Sequence, residues 1–267
     1  MRKTTVAAVL ITAFVAVAYA KADNPRYKLV WEDDFNGTTI DTAYWSKIPR
    51  GGSDWNRHMS DLDTLYEVRG GNLILRGIAN TQYPDTSRYL TGGVYTKNKK
   101  TIKYGKVEIR AKLQGARGAW PAFWMVANNV GWPTGGEIDI MERLNNDTIV
   151  YQTIHSYYTH VLGIKDTPQH GGINKIDADG YNIYSVEIHP DSLVLSVNGN
   201  HTLTYPRIET DKEGQYPFGI PYYLMLDMQI EGSWVGKAAP EDYPVEQHID
   251  WVKFYEPEDT ETVQSEK

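Results

Sequence analysis

The sequence predicts an all-β fold, a sandwich or jelly roll of antiparallel strands. Three observations carry this: period-two alternation from Lys106 to Leu113, short apolar runs separated by Gly, Pro and Asn, and no stretch with the period of a long amphipathic helix. Composition agrees, with 19 Tyr, 8 Trp and 23 Gly in 267 residues, strand formers and turn formers together. A chain that is 41% hydrophobic and 23% charged buries a sizeable core, which excludes disorder for most of its length.

In chain order, Arg2 and Lys3 precede an apolar run, Val6 to Val17, that ends at Ala18-Tyr19-Ala20. This order of charged, apolar and small-x-small segments is that of a cleavable export signal, so residues 1–20 are expected to be a signal peptide. The run falls short of the ~20 apolar residues that span a bilayer, and the product is expected in the periplasm or outside the cell. Residues 21–256 show no linker or repeat and are expected to form a single domain, with 257–267 as an acidic flexible tail. Within the domain, Val107, Ile109, Ala111 and Leu113 alternate with Lys106, Glu108, Arg110 and Lys112, a half-buried strand. Tyr184–Ile188 and Leu193–Val197 flank turn chemistry at His189-Pro190-Asp191-Ser192, and Asn198-Gly199-Asn200 makes the next turn. Leu73–Leu75, Ile149–Ser156, Tyr222–Met228 and Ile249–Tyr255 read as further strands.

Charge and motif content exclude several function classes. The net charge of −7 becomes −9 once Arg2 and Lys3 are removed, and its mixed distribution argues against nucleic acid or a membrane surface as partner. A monomer acting on a poly- or oligosaccharide is expected. With no cysteine there is no disulfide, thiolate metal site or cysteine nucleophile. Neither His-Glu-x-x-His nor Gly-x-Ser-x-Gly occurs, which removes the common metalloprotease and serine hydrolase motifs.

The segment that carries chemistry is Gly135-Gly136-Glu137-Ile138-Asp139-Ile140-Met141-Glu142. Crowding three carboxylates into an apolar strand is costly, because like charges raise one another's pKa. Glu137 and Asp139 share one face; Glu142 joins them only if a β-bulge at Ile140-Met141 slips the register by one. Retaining glycoside hydrolysis needs two carboxyls ~5–5.5 Å apart, and Glu137 and Glu142 are spaced for it, with Asp139 between to tune and orient. Just upstream, Trp120 and Trp124 offer flat indole faces for pyranose rings. His155, on the expected neighbouring strand, is placed to donate to one of the carboxylates.

These residues resemble glycoside hydrolase family 16. The Glu137–Glu142 run matches the family signature in its bulged form, and the likeness extends over Leu29–Gly37, Gly105–Leu113, Trp120–Met125, Tyr181–Gly199, Leu226–Gly236 and Ile249–Tyr255. The resemblance implies a jelly-roll β-sandwich of two antiparallel sheets with an open concave cleft, cutting polysaccharide internally. It also implies Glu137 as nucleophile, Asp139 as its partner and Glu142 as acid/base, with Trp120, Trp124 and His155 along the central subsites. No cofactor is required for catalysis. A structural calcium is implied at Asp34 and Asp250.

Members that cut β-1,3-glucans carry an Asn-x-Glu-(Leu/Gln)-x-Tyr-Tyr segment that this chain lacks; the region reads Asp54-Trp55-Asn56-Arg57-His58-Met59-Ser60-Asp61. Their Asn-Leu-Ala-Val-Gly-Gly appears as Asp227-Met228-Gln229-Ile230-Glu231-Gly232. The Trp-Asn-Arg-His-Met pattern looks more like gut-bacterial endo-β-galactosidases acting on mucin-type O-glycans and poly-N-acetyllactosamine. Trp55, Arg57, His58, Gln229 and Trp234 are therefore expected to bind substrate, with Arg57 and His58 donating to an axial hydroxyl or an acetamido carbonyl. The expectation is an exported, endo-acting, retaining β-glycosidase on internal β-galactosidic bonds of N-acetyllactosamine-containing O-glycan chains. The alternatives are an endo-β-1,3(4)-glucanase and, from another class, a non-catalytic lectin-like module, which would not need three carboxylates on one strand.

Overall fold

A computed structural model describes residues 26–258 of the chain. The expected signal peptide, and all of the expected tail except Pro257 and Glu258, lie outside the described residues.

Sixteen strands are formed among the described residues. They are β1 (Tyr27–Asp33), β2 (Ser46–Lys47), β3 (Tyr66–Val68), β4 (Leu73–Ala79), β5 (Tyr89–Thr91), β6 (Gly93–Tyr95), β7 (Gly105–Leu113) and β8 (Ala119–Ala127). There follow β9 (Glu137–Glu142), β10 (Ile149–His155), β11 (Gly171–Lys175), β12 (Asn182–Ile188), β13 (Ser192–Val197), β14 (Asn200–Pro206), β15 (Tyr222–Ile230) and β16 (Val245–Pro257). Helical structure is confined to three short turns at Asp63–Leu65, Tyr157–Val161 and Pro240–Asp242. Strand β16 reaches one residue into the expected tail, pairing Pro257 with Tyr27.

Two antiparallel sheets form a jelly-roll sandwich. One runs β14-β13-β12-β7-β16-β4-β3, with β1 on β16 and β5 on β4; the other runs β11-β10-β9-β8-β15-β6-β2. The core lies between them because each sheet turns its alternate apolar residues inward. Val107, Ile109, Ala111 and Leu113 of β7 meet Phe123, Met125, Ile138, Leu224 and Leu226 of the second sheet in one buried cluster. Phe123 packs edge-on to Tyr184 across the gap, centroids 5.8 Å apart.

The outer face of the seven-stranded sheet is only partly covered. Loop residues Ile48, Trp55 and Met59 pack over it against Ala122, Trp124, Tyr223 and Met225, a second apolar cluster outside the core. Uncovered sheet beside this cluster forms the floor of a cleft.

Candidate active site

Three neighbouring strands build the cleft floor by alternation. Trp120, Ala122, Trp124 and Val126 of β8, Glu137, Asp139 and Glu142 of β9, and Tyr223, Met225 and Gln229 of β15 line one cavity of about 480 Å³. Ser53, Asp54 and Trp55 form one wall and Trp132 another.

Strand β9 departs from period two where the spacing requires it. Val126, Met125 and Trp124 pair with Glu137, Ile138 and Asp139, then Phe123 pairs with Met141, so Ile140 is skipped. The same slip occurs against β10. Ile140 and Met141 are both fully buried in the core, and Glu142 returns to the cleft face with Glu137 and Asp139. The bulge strips the Ile140 carbonyl of its ladder partner; Gln152 on β10, itself buried, donates Nε2 to it at 2.7 Å. At the start of the strand, Gly136 has φ +77°, and a Cβ there would lie 2.8 Å from Phe218 and Pro217, so glycine is required.

Burial and crowding set the electrostatics. Glu142 is only 8% exposed, and burial, then Asp139, holds its carboxyl well above the usual carboxylate range. Its sole counterweight is the Trp120 indole, which donates Nε1–H to Oε1 at 3.0 Å. Glu137 is also raised by burial and by Asp139, but His155 and the Trp132 indole favour its anion. The His155 Nε2 lies 3.2 Å from Asp139 Oδ2. Burial opposes protonation of His155, yet its hydrogen bond to Asp139 and the charges of Asp139 and Glu137 outweigh it and raise its pKa. A histidine whose cation is favoured therefore sits at the Glu137–Asp139 end of the triad. At the Glu142 end there is only like charge and one indole, so a shared proton settles on Glu142.

Of the aromatic expectations, Trp120, Trp124 and Trp55 line the cleft, with Trp55 edge-on to Trp124 at 4.8 Å. Trp234, 47% exposed, extends the aromatic wall by packing edge-on to Trp120 at 5.7 Å and to Tyr151 at 5.0 Å.

His58 is a correction. It turns away from the cleft to Ser87, with Nδ1 2.6 Å from Oγ, while Arg57 donates Nε–H to its Nε2 at 3.3 Å. Because Arg57 can only donate, Nε2 must accept and Nδ1 must carry the proton. Burial, then Arg57, lowers the pKa of His58, and with both ring nitrogens engaged it has none left for a ligand. Arg57 is supported from both sides, by His58 and by Glu231 Oε2 4.0 Å from its Nη2, and keeps 39% of its side chain exposed.

The expected calcium donors do not fit a cation. Asp250 is ion-paired with Arg110, and Asp34 Oδ2 accepts from the side-chain amide of Asn36 at 2.6 Å. A hard divalent ion wants six or more oxygens and no guanidinium among them.

Trp132, Tyr223, Met225, Asp227 and Glu231 escaped the sequence reading. Strand β15 is buried along its whole length, so no polar alternation marks its cleft face. Glu231 carries a signal that only the backbone reveals: φ is +58° at a position where the glucanase motif has Gly. A non-glycine residue in the left-handed region costs about 1–3 kcal/mol and is kept where the surroundings hold it. Here Lys237 Nζ, the Ala238 N–H and Arg57 do so.

A jelly-roll sandwich with acidic and aromatic side chains converging in one open cleft defines a carbohydrate-cleaving hydrolase. Residues 68–253 match Glycosyl hydrolases family 16, and the chain belongs to that family. The keratan-sulfate endo-1,4-β-galactosidase of Sphingobacterium multivorum is 35% identical over 235 residues, covering 86% of this chain and 55% of the relative, so the chain spans about half that enzyme's length. A β-glucanase of Rhodothermus marinus is 28% identical over 279 residues, 96% of this chain and 94% of the relative. Among solved structures, the Rhodothermus marinus laminarinase superposes with a TM-score of 0.80 at 28% identity, covering 88% of this chain and 99% of that one. The family makes the chain a glycoside hydrolase.

Proposed function

We propose that this chain is exported and hydrolyses internal β-galactosidic bonds of N-acetyllactosamine-containing chains with retention of configuration. Glu137 attacks the anomeric carbon while Glu142 protonates the leaving oxygen, giving a glycosyl-enzyme and a free chain end. Glu142, now a carboxylate, takes a proton from water as that water displaces Glu137 and restores both groups. Asp139 and His155 hold Glu137 in position, and His155 compensates the charge of both carboxylates. The observation that carries this mechanism is the bulge at Ile140, which brings Glu142 to the face of Glu137 while the charge compensation stays at the other end.

The substrate reading rests on Arg57. Its guanidinium is braced by His58 and Glu231 at a position where glucanases have neither the same loop nor an acidic residue, and it retains free N–H donors. The keratan-sulfate relative supports the galactoside side of the choice, and the laminarinase-like fold supports the glucan side. A site built to pair an axial hydroxyl leaves donors unsatisfied with the equatorial epimer, at about 1–3 kcal/mol each.

Reducing-end release from lactosamine chains, keratan, laminarin and mixed-linkage glucan tests this directly. Lactosamine or keratan cleavage with laminarin nearly inert is expected, and Arg57→Ala should lower galactoside cleavage about tenfold or more while leaving the melting temperature nearly unchanged. Efficient laminarin hydrolysis with no release from lactosamine chains would make this a glucanase.

A further inference from the structure

Asp227 is a fourth carboxylate on the cleft side of the sheet, and the hydrolytic steps do not use it. It lies between Met225 and Gln229, which line the cleft, and is itself fully buried. Register sets Glu142, Ala122, Asp227 and Gly93 in one row across β9, β8, β15 and β6. The neighbours of Asp227 are thus a methyl group and a glycine, and a Cβ on Gly93 would lie 2.7 Å from its Cβ.

Its oxygens serve two cleft side chains. The Trp124 indole donates Nε1–H to Oδ1 at 3.1 Å, and Gln229 Nε2 lies 3.3 Å from Oδ1 and 3.4 Å from Oδ2. No Lys, Arg or His forms an ion pair with it among the described residues. The other ionisable groups that face it are Asp139 and Glu142 from β9 and the Tyr66 hydroxyl, which donates to the Ser60 carbonyl at 2.7 Å.

A buried carboxylate without a cation is expensive. Asparagine, the residue of the glucanase motif, would accept the same indole proton at lower cost. What asparagine cannot do is present acceptors on both branches. Two carboxylate oxygens force Gln229 to turn its NH2 inward, and Gln229 Oε1 is left with no partner in the protein.

We propose that Asp227 is a positioning residue, whose carboxylate fixes the Trp124 indole and the Gln229 amide so that the Gln229 carbonyl oxygen is reserved for an N–H or O–H of the bound sugar. The inference rests on the cleft being the substrate site and not on which sugar fills it. Burial pushes the Asp227 carboxyl up to about 7. Between the ordinary aspartate range and about 7 the native state therefore holds a proton that the unfolded chain releases, so stability falls as pH rises through that range, and above it Asp227 is the carboxylate that orients Gln229.

Asp227→Asn tests the role because structure and function then move in opposite directions. At pH 8 the melting temperature should rise by several degrees, while KM rises about tenfold with kcat changed less than about threefold. Gln229→Ala, which leaves the core intact, should reproduce the KM rise, and the double variant should be no worse than either single one. The assays use whichever chain the wild type cleaves fastest, so a mistaken substrate shows in the wild type and a mistaken role for Asp227 only in the variants. A lower melting temperature with unchanged KM, an unchanged KM in Gln229→Ala, or additive effects would each overturn the proposal.

Discussion

Strands β7 and β9 lie in opposite sheets, and both set charged side chains against apolar ones. On β7 the charges are of both signs and lie on the outer face: Lys106 Nζ meets Glu108 Oε1 at 2.5 Å, and Arg110 pairs with Asp250. Its register with β12 is unbroken from Gly105 to Ala111. On β9 the charges share one sign, two of the three are buried, and the register slips at Ile140. Exposed pairs of opposite sign cost little and contribute little. Three like charges withdrawn from water oppose folding, and such a cost persists where the chemistry depends on it. The same period-two grammar thus writes a scaffold in one sheet and a reaction centre in the other, and the sign and burial of the charges tell them apart.

The comparison breaks most sharply on activity. Glu137→Gln should abolish turnover for every leaving group, and Glu142→Gln should cost about 10²–10⁴-fold on natural chains. With an activated aryl glycoside, Glu142→Gln should keep its first step, and azide should restore turnover by attacking the intermediate without base assistance. Rate measurements with and without azide check both; rescue confined to Glu137→Gln would reverse the roles.

Stability offers the next contrast. Because the folded pKa of Glu142 lies above its unfolded value, the native protein keeps a proton that the unfolded chain gives up. The folded state is favoured most below the ordinary glutamate range of about 4.3 and loses stability as pH rises through the folded value. Thermal melts should show Glu142→Gln gaining on the wild type as pH rises from 5 to 8.

A smaller effect is expected at Trp120. Its indole N–H favours the Glu142 anion, so Trp120→Phe should move the alkaline limb of the kcat/KM profile to higher pH, with a loss of only a few-fold at neutral pH. The smallest belongs to β7, where Glu108→Gln should stay within about 1 kcal/mol in denaturant melts and leave kcat/KM unchanged.

How much of this was legible in the sequence follows from the same physics. Alternation from Lys106 to Leu113 and turn chemistry around Asn198 announce antiparallel pairing locally; β7, β12 and β13 fall where they are expected, and β14 follows the expected turn. The bulge was readable because three carboxylates cannot share a face across five residues at strict period two. Gln152, which satisfies the carbonyl the bulge frees, was not, since it lies on the partner strand, twelve residues on from Ile140. His58 misled for a related reason: a histidine beside an arginine in a polar loop reads as two donors, and only the fold brings Ser87 close enough to claim one nitrogen. The metal expectation at Asp34 and Asp250 took no account of Arg110, which, far away in sequence, lies beside Asp250 once β7 pairs with β16. Long-range partners decide what a polar residue is free to do.

The central claim is that the bulged strand presents a nucleophile and a proton donor to one anomeric carbon. It is tested most directly by trapping the intermediate. Glu142→Gln incubated with an activated aryl β-glycoside of the preferred sugar should gain the mass of one glycosyl unit, and peptide mapping should locate it on Glu137. A label on Asp139 or Glu142, or products of inverted anomeric configuration from the wild type with no labelled enzyme, would contradict the account.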